Sequence, residues 1–145
     1  MPVSAAVNAF GTLLKIGDGG GGEVFTTIAE VQNISGPSLS LEMIDVTNHS
    51  STAGWKERIG GLLDGGEVTF DINFQPTAST HSYSAGLVKD MVNRTKRNFK
   101  IVFPDGSSTT WTFSAFVSKF QSKAPVNGQL SASISLMITG QPTLA

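Results

Sequence analysis

The chain has 145 residues, a length suited to one domain with one sizeable core. Ten Lys and Arg against eleven Asp and Glu leave a formal net charge of -1, so no basic excess exists to drive non-specific phosphate binding. Hydrophobic residues make up 39% and charged residues 14%, which is too apolar for intrinsic disorder and low in charge for a solitary soluble subunit; a surface largely covered by other subunits accounts for both.

The first segment, residues 1–10, is an uncharged arm. Two strands are expected next, from Gly11 to Ile16 and from Val24 to Ile34, joined across Asp18-Gly19-Gly20-Gly21-Gly22-Glu23. The four glycines suggest a phosphate cradle, but a P-loop needs a following Lys-Ser/Thr and none is present, so they read as a flexible hairpin tip. Leu39, Leu41 and Met43 alternate with Ser38, Ser40 and Glu42, the period-two pattern of a half-buried strand. Residues 47–64 then form a long connection holding Trp55, Ile59, Leu62 and Leu63 among small polar residues. A loop of that length in a compact domain usually has a function, and these side chains are expected to dock on a partner.

After Gly65 and Gly66, Val68, Phe70, Ile72 and Phe74 alternate with Glu67, Thr69, Asp71 and Asn73. Only residues 80–94 show helical period: Tyr83, Leu87 and Met91 fall four apart with Val88 and Val92 adjoining, Ser79 or Thr80 offers an N-cap, and Arg94, Lys96 and Arg97 suit the negative pole of the helix dipole. Phe99, Ile101 and Phe103 lead into Pro104-Asp105-Gly106, a turn in which Pro presets φ and Gly tolerates positive φ, and Trp111 and Phe113 continue on the return strand. The last strand alternates Leu130, Ala132, Ile134, Leu136 and Ile138 with Ser131, Ser133, Ser135, Met137 and Thr139. Four strands, one helix and three strands predict a mainly β, single-domain chain: an antiparallel β-sandwich or barrel flanked by one α-helix.

Catalytic and metal chemistry finds little to stand on. The absence of Cys excludes disulfides, thiolate metal sites and cysteine nucleophiles. His49 and His81 sit in Ser/Thr-rich turn contexts without a metal-ligand spacing, and are expected at the surface. There is no Gly-x-Ser-x-Gly elbow, and Glu67 and Asp71 lie on a polar strand face lacking a desolvating neighbour. Arg94, Lys96, Arg97 and Lys100 have only Phe99 interleaved, which reads as a solvated or subunit-facing patch rather than a nucleic-acid site. No apolar run approaches the ~18 residues that span a bilayer, and no basic segment followed by an apolar one opens the chain, so a soluble, untargeted, cytoplasmic product with no membrane partner is expected.

Charge is segregated along the chain. Residues 1–72 carry nine acids and three bases, net -6, and residues 73–145 carry two acids and seven bases, net +5. Opposite faces of identical subunits then attract head to tail, unless the two halves intermix in one sandwich and the asymmetry averages away.

The order of these pieces resembles a known family. Trp55-Lys56-Glu57-Arg58-Ile59-Gly60-Gly61-Leu62-Leu63-Asp64-Gly65-Gly66 leads into Val68-Thr69-Phe70, the segment from Phe99 to Gly106 follows the helix, and the final alternating strand ends in Thr139-Gly140-Gln141-Pro142. With the arm and the long loop, this layout is similar to the tail tube proteins, or major tail proteins, of long-tailed siphophages. The resemblance implies a structural, non-enzymatic subunit without cofactor or metal: hexameric rings join inner strands into a continuous barrel and stack into a hollow tube. That tube surrounds a tape measure protein, meets tail terminator and tail tip proteins, and passes DNA transiently during ejection. Localisation in the virion tail, after assembly in the bacterial host cytoplasm, follows from it. On this reading Trp55, Ile59, Leu62 and Leu63 touch neighbouring subunits, on a loop disordered in the free monomer. Glu42, Glu67 and Asp71 form an acidic lumen wall, since β alternation sets Glu67 and Asp71 opposite Val68, Phe70 and Ile72. Two alternatives stand beside it, the tube of a contractile tail or type VI secretion-like injection system, which shares the fold, and a small monomeric β-sandwich binding module.

Overall fold

The computed structural model describes residues 3–145. Nine strands and one short helix follow in chain order: β1 (Leu13–Gly17), β2 (Phe25–Thr27), β3 (Val31–Ser35), β4 (Ser40–Asp45), β5 (Arg58–Asp64), β6 (Glu67–Asn73), α1 (Leu87–Val92), β7 (Arg97–Val102), β8 (Thr110–Lys123) and β9 (Ser131–Leu144). Seven of the strands form one antiparallel sheet in the order β2-β1-β7-β8-β9-β6-β3, and β4 and β5 form a separate two-stranded ribbon.

The sheet has to roll up. β2 and β3 occupy its opposite edges, yet only Ile28, Ala29 and Glu30 separate them in sequence. Four residue steps reach at most about 14 Å, so the two edges must come together. The link is tied at both ends: the Ile28 N–H donates to the Leu14 carbonyl at 2.9 Å, and the Asn73 N–H donates to the Glu30 carbonyl at 3.0 Å. The single strand expected over residues 24–34 is therefore two strands, divided where Glu30 takes a φ of 58°. The apolar residues Ile28, Val31 and Ile34 fall three apart rather than two, so a period of two could not place the break.

The rolled sheet encloses the core. Val68, Phe70 and Ile72 on β6 are buried with Ala132, Ile134 and Leu136 on β9, in the register Val68↔Leu136, Phe70↔Ile134 and Ile72↔Ala132. Burying each large aliphatic or aromatic side chain contributes about 1.5–3 kcal/mol, so these two alternating strands anchor the fold. The expected hairpin around Pro104-Asp105-Gly106 pairs Phe99 with Phe113 and Ile101 with Trp111, and the Phe99 and Phe113 rings stack at 5.8 Å. A bulge between Val117 and Lys119 shifts the parity of β8, keeping Phe120 on the core side, where it meets Phe74 edge-on at 5.2 Å.

The helix is shorter than the period over residues 80–94 predicts. Six residues are helical, with Gly86 at the N-cap, and the chain before them doubles back in turns so tight that a Cβ on Gly86 would lie 2.4 Å from the Thr80 carbonyl carbon. Of its apolar face only Leu87 is buried; Tyr83, Met91 and Val92 are exposed. Arg97 is the first residue of β7 rather than a helix-dipole partner, and pairs at 3.1 Å with Asp90, which is only 3% exposed.

His81, expected at the surface, is fully buried. Its Nδ1 accepts the Gln75 N–H at 3.2 Å, so Nε2 carries the proton and donates to the Ala29 carbonyl at 2.7 Å. The histidine thereby clamps the link that closes the sheet. The glycine-rich turn is also fixed at its ends: Asp18 accepts the Gly20 N–H, Glu23 accepts the Gly19 N–H, and Arg97 donates to the Asp18 carbonyl at 2.8 Å.

Candidate assembly surface

The connection expected over residues 47–64 is a strand and a turn. β5 fills residues 58–64 and pairs with β4 through Leu41↔Leu63, Met43↔Gly60, Ile44↔Ile59 and Asp45↔Arg58. Its sequence hides this because the register shifts between Leu41 and Met43, placing Gly61 and Leu62 opposite Glu42 and breaking the alternation. The ribbon leaves the rolled sheet at Gly65 and Gly66. Gly66 has a φ of 70°, and a Cβ on it would lie 2.2 Å from the Ser38 carbonyl oxygen, so only glycine lets the outgoing and returning strands come this close.

Nothing in the subunit covers the ribbon. All six residues of β4 are exposed, so Leu41 and Met43, expected on a half-buried strand, face outward with Ile44. Trp55 is 76% exposed, Leu62 80% and Leu63 79%, with Ile59 half-exposed. Cross-strand partners share a face, so Leu41, Met43 and Leu63 lie on one side and Ile44 and Ile59 on the other. A two-stranded ribbon in water is at best marginally stable alone, and apolar clusters of this kind on a surface mark sites of association.

The tip that joins the two strands is preformed rather than loose. The Asp45 carboxylate accepts the Thr47 N–H at 2.9 Å, the Glu57 N–H donates to Thr47 Oγ1 at 2.8 Å, and Ser51 donates to Glu57 Oε2 at 2.7 Å. Hydrogen bonds from Thr47, with Arg58 nearby, hold the Asp45 carboxyl below its ordinary value. A single 3-10 turn at Thr52–Gly54 delivers the chain to Trp55. This network holds the tip in one arrangement.

The acidic residues divide between two elements. Glu67 and Asp71 lie on the outward face of β6 with Thr69 and Asn73, beside the serines of β9, and Asp71 accepts the Ser133 hydroxyl at 2.9 Å. Glu42 does not share that face: β4 pairs with β5, so it belongs to the ribbon, next to Gly61. Charge in the sheet is sorted by strand, with Lys15 on β1, Arg97 and Lys100 on β7, Lys119 and Lys123 on β8, and Glu67 and Asp71 on β6. The acidic and basic halves of the sequence thus share one sheet but not the same strands. Phe116 and Met137 also lie exposed as cross-strand partners; Met137 stands on the outward side where alternation puts it, and Phe116 lies beyond the return strand expected at Trp111 and Phe113.

Among the described residues, no group of three His, Cys, Asp or Glu is arranged to hold a metal ion, and no helix is long and apolar enough to cross a membrane. The arm before β1 is open to solvent at Val3, Val7 and Phe10. Phe10 borders a cleft that runs along the free side of β3 to Phe103 and Leu144.

No curated protein matches the chain. Among solved structures, a chain in the tail of an empty gene transfer agent particle, refined with C6 helical symmetry, is 22% identical with a TM-score of 0.77 over 97% of this chain and 99% of that one. A chain of an extracellular contractile injection system sheath/tube terminator is 16% identical with a TM-score of 0.71 over 99% of both chains, and the SPP1 tail tube is 13% identical with a TM-score of 0.65 over 92% of this chain and 75% of that one. These establish the fold. A family profile described as lambda phage tail tube protein matches residues 19–145, spanning the rolled sheet from the glycine-rich turn onward and the whole ribbon, and the chain belongs to that family.

Proposed function

We propose that this tail tube subunit forms six-membered rings that stack into a hollow tube, and that the ribbon is the element that joins copies. The observation that carries this reading is the ribbon itself, apolar on both faces and uncovered by its own subunit. The C6 symmetry of the gene transfer agent tail that shares the fold supports six copies per ring. The tube surrounds a tape measure protein, ends at tail terminator and tail tip proteins, and conducts DNA at ejection; the subunit is assembled in the bacterial host cytoplasm, acts in the virion tail and catalyses nothing. Concentrated purified protein viewed by negative-stain microscopy should show six-fold rings or tubes. A species that stays monomeric by light scattering at every concentration, with no rings on the grid, overturns the proposal and favours a binding module.

Glu67 and Asp71 are proposed to face the lumen. Carboxylates there repel DNA phosphates, whereas each cation facing them adds affinity and so friction. Glu42 is proposed to face the lumen from the ribbon, separately from that pair. Replacing Glu67 and Asp71 by Lys should leave assembly intact and slow DNA ejection, and ejection at the parental rate excludes the electrostatic role.

The contractile reading has its own support in the fold shared with the contractile injection system chain. It differs in one respect that can be measured, since a contractile tube carries a sheath. Particles purified with a second, coaxial protein layer would favour it, and bare tubes favour the non-contractile tail.

A further inference from the structure

Glu67 and Asp71 do not have their face to themselves. Cross-strand partners in a sheet share a face, and across β8, β9 and β6 the register runs Lys119↔Ser135↔Thr69, Gln121↔Ser133↔Asp71 and Lys123↔Ser131↔Asn73. Lys119 and Lys123 therefore stand on the same outward face as the two acids. The β8 bulge puts them there. It leaves Ser118 as the extra residue, tied by its hydroxyl to the Ser135 carbonyl at 3.1 Å, and without it Lys119, Gln121 and Lys123 would point into the core. In order along β9, the rows through Met137, Ser135, Ser133 and Ser131 carry Glu67, Lys119, Asp71 and Lys123, one charge to a row and alternating in sign.

These charges are kept near one another without being paired. Lys119 and Asp71 line one hollow with Thr69, Ser133 and Ser135, yet Asp71 accepts the Ser133 hydroxyl, and among the described residues none of the four charged groups forms an ion pair. Rows two residues apart lie about 6.8 Å apart along a strand, inside the ~8 Å screening length of physiological salt, so neighbouring charges largely cancel at the distance of a passing polymer. We propose that Lys119 and Lys123 are functional partners of Glu67 and Asp71: they offset the acids, so that the wall neither grips nor repels the phosphates of DNA moving along it. Balance matters because each uncompensated cation adds phosphate affinity and each uncompensated carboxylate adds repulsion. The inference rests on the lumen reading of this face and adds to it the two residues that set its net charge.

Rescue tests it. In particles whose tails are built from Glu67→Gln/Asp71→Asn subunits, only the lysines stay charged on this face, and DNA ejection should be severalfold slower at low salt and recover as salt rises. Adding Lys119→Gln and Lys123→Gln to the same chain should restore the parental rate, although it removes two more native side chains. None of the four side chains is buried, so the subunits should keep their melting temperature. Ejection at the parental rate by the acid-neutralised particles, or slow ejection that the lysine replacements do not relieve, overturns the balance. Because the chain has no native cysteine, Gln121→Cys reports separately on where the face lies. It should be closed to a bulky polyethylene glycol maleimide in intact particles and open to it in dissociated subunits. Labelling in intact particles refutes the lumen reading and the balance with it, whereas a protected cysteine together with no rescue refutes the balance alone.

Discussion

His81 spends both ring nitrogens on backbone groups from segments far apart in sequence, the Gln75 N–H and the Ala29 carbonyl. Replacing it by Leu leaves a donor and an acceptor unpaired in the interior, at about 1–3 kcal/mol for each group stranded. His81→Leu should therefore lower the melting temperature markedly, as measured by thermal unfolding of the soluble subunit, whereas the exposed His49→Leu should not. The sequence placed His81 in a polar turn, and nothing in its neighbours reveals that the turn folds back over the sheet closure. Acid sensitivity enters at three turns. Asp18 is held below the usual carboxyl value of 3.8 by the Gly20 and Val24 amides, Asp45 by Thr47, and Asp105 by the Thr109 hydroxyl and amide. A depressed value means that the ionised form is the one stabilised, so these turns are intact above the ordinary value and released as pH falls through the lower folded one. Amide exchange at Gly20, Thr47 and Thr109 should be constant from neutral pH down to about 4 once intrinsic rates are corrected, and rise below it. Protection that is lost well above pH 4 would show that the carboxylates do not hold the turns.

The elements differ in what they stabilise. β6 and β9 bury their alternating residues in the subunit itself, and Phe70→Ala should cost about 3–5 kcal/mol of monomer stability. The ribbon buries almost nothing, so Leu62→Ser should leave the monomer melting temperature unchanged and reduce assembly. Trp55→Ala should block assembly with the fold intact, checked by circular dichroism and sedimentation, and normal polymerisation would reduce the tip to decoration. The strands of the core were legible because burial on one face writes a period of two into Val68, Phe70 and Ile72 and into Ala132, Ile134 and Leu136. β5 was not, because a strand with no buried face carries no such period, and the register shift at Gly61 and Leu62 erased what alternation remained. Trp55, Ile59, Leu62 and Leu63 stand out in the sequence by their apolar character in a polar segment, and all four are exposed in the subunit. Helical period overran the true helix because Tyr83 and Met91 keep the spacing without the burial.

At the scale of the molecule, a sheet closed through Ile28–Glu30 frees the ribbon to leave the body as a separate structure. The chain carries little charge, and its bases and acids stand on different strands of the sheet, with Lys119 and Asp71 lining one hollow across β9. The central claim is that the ribbon joins copies of a six-fold tube. A cryo-EM map of tubes grown from the purified chain tests it most directly: the expected map has six subunits per ring with the apolar side chains of β4, β5 and the tip between them buried between copies, and a tube of any symmetry in which the ribbon stands free in solvent would contradict it.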